Sequence, residues 1–484
     1  MDRTLIFEKG KTGRATNYVP SPDMVMAPAQ KLLPQECLRL DELGFPSPGE
    51  LEVIRHYTNL SRLNFSVDTN FYPLGSCTMK YNPKINDYAA GLAGFTDIHP
   101  YQDSSSVQGA LALIYHLEKI LCEITGMKRF TFQASSGAQG ELAGMLMIRK
   151  YHQDKKNNKK KVIVPDSAHG TNPATSTMCG YETVVIKSTK EGLIDLEALY
   201  AAVDREVAAL MLTNPNTLGL FEENILEISE LIHKNGGLMY YDGANFNPLL
   251  GITTPALMGF DVIHLNLHKT FSTPHGCGGP GAGAVGSGEE LLDYLPTPLV
   301  DKKHGSFCWG GAPAHSIGRL RSFYGNFNVL VRAYAYLLRL GHEGLLRVAQ
   351  NSILNAGYIR AELERTYLCA SKKPSMHEVV FSCVRQKEKG VSALEIAKRL
   401  IDFNIHPPTM YFPLIVKEAL MVEPTETESK ETLDTFIEAM RTIDREISEN
   451  PERVKNAPHT TETRRVDEVY AARNLDLRWH KPGA

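Results

Sequence analysis

No two cysteines in this 484-residue chain are spaced C-x-x-C. The eight that occur, at positions 37, 77, 122, 179, 277, 308, 369 and 383, are scattered. That spacing offers neither a zinc knuckle nor a disulfide framework, so no metal site is expected and a reducing compartment fits best. Charge of one sign is also lacking: the formal net charge is −3 at pH 7. A chain so nearly balanced gives no reason to expect nucleic acid or an anionic membrane as its principal partner. Its one dense basic run, Lys155 to Lys161, reads as a solvated loop. No stretch is long and apolar enough to span a bilayer, and Met1 to Lys9 lacks the apolar core of a signal peptide, so the expected location is the cytoplasm. Fixed-period repeats and low-complexity tracts are absent too.

What remains is ordinary globular material, 43% hydrophobic and 22% charged, enough for two or three sizeable cores. Up to about residue 70, short amphipathic pieces alternate with Pro20, Pro22, Pro28, Pro34, Pro46 and Pro48, which predicts an arm lying over another surface. Val107, Ala110, Ile114, Leu117, Leu121 and Ile124 recur at helical spacing, and Gly126 follows as a C-cap, so 105–125 is expected to be an amphipathic helix. Short apolar runs then alternate with helical patterns. The runs begin at Phe130, Val162, Thr183, Ala208, Leu238 and Val262, and helices are expected near 138–152, 194–204 and 225–235. This alternation predicts an α/β domain with a mostly parallel sheet covered on both faces. After about 315 come long helical periodicity through 327–367, strands near Val379–Phe381 and Tyr411–Ile415, and helices near 392–403 and 428–447, the last preceded by a capping-box pattern at Thr425–Glu428. The expected division is an N-terminal arm (1–74), a large α/β domain (75–320), a smaller α+β domain (321–450) and a tail (451–484).

The chemistry gathers at predicted strand ends. The run Asp261 to Leu267 turns polar abruptly, and Lys269 follows it, where open α/β sheets place their ligands. Such a lysine is a candidate Schiff-base former toward an aldehyde cofactor such as pyridoxal phosphate (PLP). The glycine-rich segment after His275 suits tight turns. Ser136, Gly137, Ala138 and Gln139 sit between a strand and a helix and would offer backbone N–H groups to a phosphate. Asp242 ends another strand and could face a pyridine nitrogen, and His169 could stack on a flat ring. Thr213, ending the run from Ala208, and Ala244, beside Asp242, complete the cofactor-binding candidates. Each feature alone is more often a turn, a cap or a solvated side chain. Their convergence on successive strand ends, in the order one PLP molecule would require, makes coincidence the poorer reading.

Longer strings add a resemblance. Pro73-Leu74-Gly75-Ser76-Cys77-Thr78-Met79-Lys80, His169 to Ala174, Asp242 to Asn245, His268 to His275, Ser322 to Asn326 and Glu423 to Glu426 resemble the PLP-dependent P-protein family of the glycine cleavage system, in the form of the second subunit of two-chain enzymes. The resemblance covers nearly the whole chain. It implies a PLP enzyme fold of the aspartate-aminotransferase type (fold type I), with Lys269, Asp242 and His169 as catalytic residues and Ser76, Cys77 and Thr78 in the substrate pocket. It further implies decarboxylation of glycine, transfer of the aminomethyl group to the lipoyl arm of H-protein, and a partner subunit 1 in an assembly with two copies of each chain. Cys77 is expected to line the pocket rather than act as a nucleophile. Two departures from the family pattern stand out: Cys277 where a glycine is common, and a Ser136–Gln139 turn closer to the single-chain form. Lys269 and Asp242 by themselves would equally suit an aminotransferase or another amino-acid decarboxylase of this fold. A non-catalytic scaffold subunit is the other alternative, and the intact pair argues against it.

Overall fold

The computed structural model describes residues 4–11, 14, 20–39, 41, 45–275 and 281–480, so Cys277 and its neighbours at 276–280 lie outside the described residues. Two units result, one of Val67–Arg465 and one of Met1–Ser66 with Val466–Ala484.

The apolar runs of the larger unit become a seven-stranded sheet. Its strands are β1 (Arg129–Thr131), β2 (Lys161–Pro165), β3 (Glu182–Ile186), β4 (Val207–Thr213), β5 (Leu238–Gly243), β6 (Val262–Asn266) and β7 (Gly283–Ser287), in the order β1-β7-β6-β5-β4-β2-β3. Strands β2 to β6 pair parallel with one another, and β7 runs antiparallel to both β1 and β6. Their side chains split by a period of two between two cores. Leu210, Leu212, Met239, Tyr241, Ile263 and Leu265 face one core; Ala209, Met211, Leu238, Tyr240 and Val262 face the other. Burial on both faces explains why these strands read as continuous apolar runs rather than as alternation. Strand β7, Gly-Ala-Val-Gly-Ser, carried no such signal. Its glycine is needed, because a Cβ on Gly286 would collide with the Phe130 ring across the pair.

Helices follow the expected pattern: α1 (Gln108–Thr125), α2 (Gly137–Asp154), α3 (Thr171–Met178), α4 (Leu196–Ala202), α5 (Ile225–Lys234), α6 (Phe327–Leu363, broken at Gly341), α7 (Ala393–Ile401) and α8 (Lys430–Glu449). Helix α3 was not anticipated. A second, four-stranded antiparallel sheet contains β8 (Leu368–Cys369), β9 (Val379–Ser382), β10 (Thr409–Met410) and β11 (Ala419–Val422) in the order β8-β9-β11-β10. Its core takes Ile396 and Leu400 from α7 and Phe436, Met440 and Ile443 from α8. Two local expectations fail here. Tyr411–Ile415 does not form a strand, because Tyr411 adopts φ 55° and Pro413 has no N–H to give a ladder; pairing passes to β10 and β11. Nor does Thr425–Glu428 cap α8: Thr425 is left-handed at φ 62°, and Ser429 is the N-cap, its Oγ accepting from Thr432 N at 3.3 Å.

The smaller unit is built on a 12-residue helix, Glu50–Ser61, begun by Gly49 N donating to Glu52 Oε2 at 2.9 Å. Its two chain segments meet where Phe7 stacks on Trp479, centroids 5.4 Å apart. Among the described residues no helix is long and apolar enough to cross a membrane.

Gly126 closes α1 in the left-handed region at φ 76°, its N–H donating to Cys122 O at 2.8 Å. A Cβ there would lie 2.6 Å from Ala256 Cβ. Gly126→Ala is therefore expected to cost the left-handed penalty of about 1–2 kcal/mol plus relief of that overlap, read as a lower urea midpoint with unchanged slope. Wild-type stability in this variant would refute the cap.

Candidate active site

Parallel strands direct their C-terminal ends to one edge of the sheet, and loops leaving that edge can bring distant residues together. The expected residues arrive there. Thr213 and Asp242 are register partners at the ends of β4 and β5, His169 follows β2, Ser136 follows β1, and Lys269 lies in the turn after β6. The Lys269 amine donates to Ser76 O at 2.8 Å, which ties the sheet edge to the Pro73–Lys80 loop.

Asp242 is 2% exposed. Burial alone would raise its pKa, yet the carboxyl is held below the ordinary range by His264, the Asn172 amide, the Ala244 N–H and the Lys269 charge acting together. Asn172 Nδ2 donates to Asp242 Oδ2 at 3.0 Å and Ala244 N to Oδ1 at 3.0 Å. Thus Ala244 acts here through its backbone. His264 belongs to the same cluster and was missed from the sequence, where it reads as one more residue of an apolar strand. Tyr240 Oη lies 2.7 Å from His264 Nδ1, and a tyrosine hydroxyl is the natural donor there, which assigns the imidazole proton to Nε2. That nitrogen is 3.1 Å from Asn266 Oδ1 and 3.3 Å from Asp242 Oδ1. Burial keeps the His264 pKa low even against the pull of Asp242, so the ring supports the carboxylate as a neutral donor. Glu141, on α2, accepts from Thr171 Oγ1 at 2.7 Å and Asn172 Nδ2 at 2.8 Å; burial, then the Asp242 charge, raises its pKa to about 7.

Ser136 caps α2, its Oγ accepting from Gln139 N at 3.2 Å, while Gln139 Oε1 turns back to accept from Ser135 N at 2.7 Å. A Cβ on Gly137 would strike the Asn266 amide, so only glycine lets the helix start sit against β6. Gly137 and Ala138 thereby occupy the first turn, where N–H groups point out of the helix toward an anion. His169 is exposed, its ring 5.5 Å from that of Phe412. The residues fit PLP on two further observations. Asn172 Oδ1, Thr213 Oγ1 and Thr270 Oγ1 are buried polar atoms without hydrogen-bond partners among the described residues, as expected of groups that await a polar ligand. And the ionised Asp242 has only a neutral imidazole and amides in direct contact, which leaves it suited to a pyridinium N–H.

The Ser76–Thr78 loop has an unusual backbone: Ser76 and Thr78 adopt φ 64° and 47°. Two buried acids hold it there. Ser76 N donates to Glu378 Oε2 at 3.0 Å, and Thr78 N and Oγ1 donate to Glu423 at 3.0 and 2.6 Å. Sequence reasoning overlooked Glu378, an acid abutting an apolar run, and quoted Glu423 only within a string. Cys77 lies between them, and burial pushes its thiol up despite nearby Lys269, so it stays protonated and is a poor nucleophile. Just beyond, buried Lys80 bonds Glu426 Oε1 at 2.9 Å, Asn247 Oδ1 at 2.8 Å and Tyr336 Oη at 3.0 Å.

Comparison with known proteins gives concordant results. The family model for the glycine cleavage system P-protein matches residues 27–305, and that for the glycine dehydrogenase C-terminal domain matches 348–463. A probable glycine dehydrogenase (decarboxylating) subunit 2 from Caldanaerobacter subterraneus subsp. tengcongensis is 57% identical over 479 residues, covering 99% of each chain. Its counterpart from Bacillus licheniformis is 54% identical over 481 residues, again covering 99% of each. Among solved structures, an inhibitor-bound glycine decarboxylase (P-protein) superposes with a TM-score of 0.71 at 20% identity, over 85% of this chain and 93% of that one. A glutamate decarboxylase from Lactobacillus brevis gives 0.65 at 12% identity, over 86% and 95%. These likenesses show the fold, that of fold type I PLP enzymes.

Because Glu141 has a pKa of about 7 when folded against 4.5 ordinarily, the folded protein binds a proton that the unfolded chain releases. That contribution is complete below the unfolded value and is lost as pH rises through the folded one. In the cofactor-free protein, wild type is expected to lose stability relative to Glu141→Gln across this window, seen as a melting-temperature difference that drifts in favour of the variant with rising pH. A difference independent of pH would contradict the assignment.

Proposed function

The chain belongs to the glycine cleavage system P-protein family, and from that membership we propose that it is the glycine-decarboxylating subunit of that system, passing the aminomethyl group to the lipoyl arm of H-protein with release of CO2. The observation that carries this reading is the meeting of the Lys269 amine, the ionised Asp242 and the Ser76–Thr78 loop at one sheet edge. When bound, PLP supplies an electron sink for the pair left behind as glycine loses CO2. Lys269 would hold the cofactor through its amine, which donates to the Ser76 carbonyl and is oriented by it. Asp242 would hold a proton on the cofactor's ring nitrogen, and His264 and Asn172 keep Asp242 aimed. His169 would offer its ring to one face of the cofactor. The Ser136–Gln139 turn would receive the phosphate, and Thr213, beside Asp242, would offer its hydroxyl to the cofactor. Ser76, Cys77 and Thr78 line the side on which glycine enters, offering small groups and no competing nucleophile.

A partner subunit 1, two copies of each chain, and lipoylated H-protein complete the proposed assembly. Support comes from the smaller unit, where Leu51, Ile54, Tyr57 and Leu60 recur along one helix and are all exposed. A reducing, cytoplasmic setting suits the seven described cysteines, all of them free.

Exchange of labelled bicarbonate into glycine, with H-protein present, tests the reaction. Activity is expected only when the partner subunit is added, and borohydride reduction should fix the cofactor on Lys269 alone. Exchange by this chain unaided, or a label mapped elsewhere, refutes the corresponding assignment. Asp242→Asn should still bind PLP yet lower exchange by about 10²-fold or more, since a neutral amide cannot hold the ring nitrogen protonated. Near-normal exchange by that variant would remove Asp242 from the mechanism.

A further inference from the structure

Strands β9 and β11 pair antiparallel with Val379 opposite Val422. One register step further places Glu378 opposite Glu423, two acids facing each other at the end of a ladder, 0% and 1% exposed. Like charges directly opposite are destabilising even on an open sheet, and burial here withdraws both from bulk-solvent screening. A carboxylate oxygen of each and a ring nitrogen of His377 lie within 4.8 Å of one another, and both His377 nitrogens are buried without partners among the described residues. Besides His377, which burial keeps neutral, the charged or titratable groups facing the pair among the described residues are Lys269 from the turn after β6, Cys77 from the 75–78 loop, and Glu426, itself held by Lys80. Among the described residues Lys269 is thus the cation whose charge acts on both acids. Burial, joined by the charge of its neighbour, raises the Glu378 pKa well above the ordinary value, and burial raises that of Glu423 to about 7.

The two acids have a structural task in common. Glu378 accepts from Ser76 N and Glu423 from Thr78 N, on either side of Cys77, in a backbone left-handed at both positions. Those two acceptors are the side chains that bond the N–H groups of the two non-glycine residues at positive φ, and their bonds offset part of that strain. The Ser76 carbonyl, whose direction this clamp sets, accepts from the Lys269 amine.

We propose that Glu378 and Glu423 hold one proton between them and act as a positioning pair, fixing the Ser76–Thr78 loop so that the Ser76 carbonyl orients the Lys269 amine. One neutral and one ionised member satisfy both backbone donors, match the single lysine charge and relieve the cross-strand repulsion. Loss of the shared proton would force the acids apart and with them the loop. The inference rests on the reading of Lys269 as the cofactor lysine, but its first test does not.

In the cofactor-free full-length chain near neutral pH, the infrared difference spectrum of wild type minus E378Q/E423Q should contain one neutral carboxylic acid and one carboxylate. Two carboxylates would overturn the proposal, whatever reaction the enzyme performs. Positioning is read from the rate at which Lys269 of the cofactor-free chain combines with PLP. E378A, which deletes the acceptor of Ser76 N–H, should slow it at least about tenfold, and E378Q, which keeps an acceptor, should recover most of that loss. An E378A rate equal to wild type refutes the positioning role. In the holoenzyme complex, E378Q should also move the alkaline limb of the kcat/KM profile, which a purely structural side chain would leave in place; an unmoved limb counts against a shared proton.

Discussion

A carboxylate that must remain ionised while fully buried is the constraint on which the site depends. Asp242 meets it by borrowing stabilisation from its surroundings: an amide from α3, a backbone N–H two residues on, a neutral imidazole from the next strand and the charge of Lys269. Each donor is set by a different element, so the ionised state is a property of the assembled sheet rather than of the Asp-Gly turn. The same cluster shows how burial sorts acids. Glu141, bonded to the same Asn172 amide but with neither His264 nor a backbone N–H to support it, is driven up to about 7 by burial and by the Asp242 charge, and the pair titrates apart.

The second sheet serves the site through the Pro73–Lys80 loop. The end of its β9–β11 ladder presents two acids to the Pro73–Lys80 loop, and a bridge from Leu74 to Val422 runs the loop alongside β11. The packing is close: a Cβ on Gly75 would collide with Met421. A loop held this tightly can store the unfavourable backbone of Ser76 and Thr78 and keep their groups pointing where a small substrate would sit. Lys80, buried with Glu426, Asn247 and Tyr336, anchors the loop's far end by a fully bonded charge pair.

Much of this arrangement follows from local pattern. Alternating apolar runs and helical periodicity determined an α/β sheet covered on both faces, because burial on two sides demands continuous apolar strands and the covering helices demand a 3.6-residue repeat. Polar breaks at the ends of those runs located Lys269, Asp242 and Thr213, since side chains at the C-terminal ends of parallel strands must share one edge. Gly126 announced its own left-handed cap. Other features depend on contacts remote in sequence and had no local signature. Strand β7 is specified by what it packs beside, the ring of Phe130, and not by its own β propensity. The Tyr411–Ile415 run has the composition of a strand, yet a left-handed Tyr411 and Pro413 exclude it from the ladder. Helix α8 is capped by Ser429 because Thr425 is committed to a left-handed turn. His264, Glu141 and the Glu378–Glu423 pair acquire roles only when separate segments close around them. Composition and periodicity by themselves thus determined the α/β class and which polar residues stand at the strand ends. Only the tertiary structure decided which acids are ionised and which loop meets the lysine, because protonation and backbone strain depend on burial and on partners hundreds of residues away.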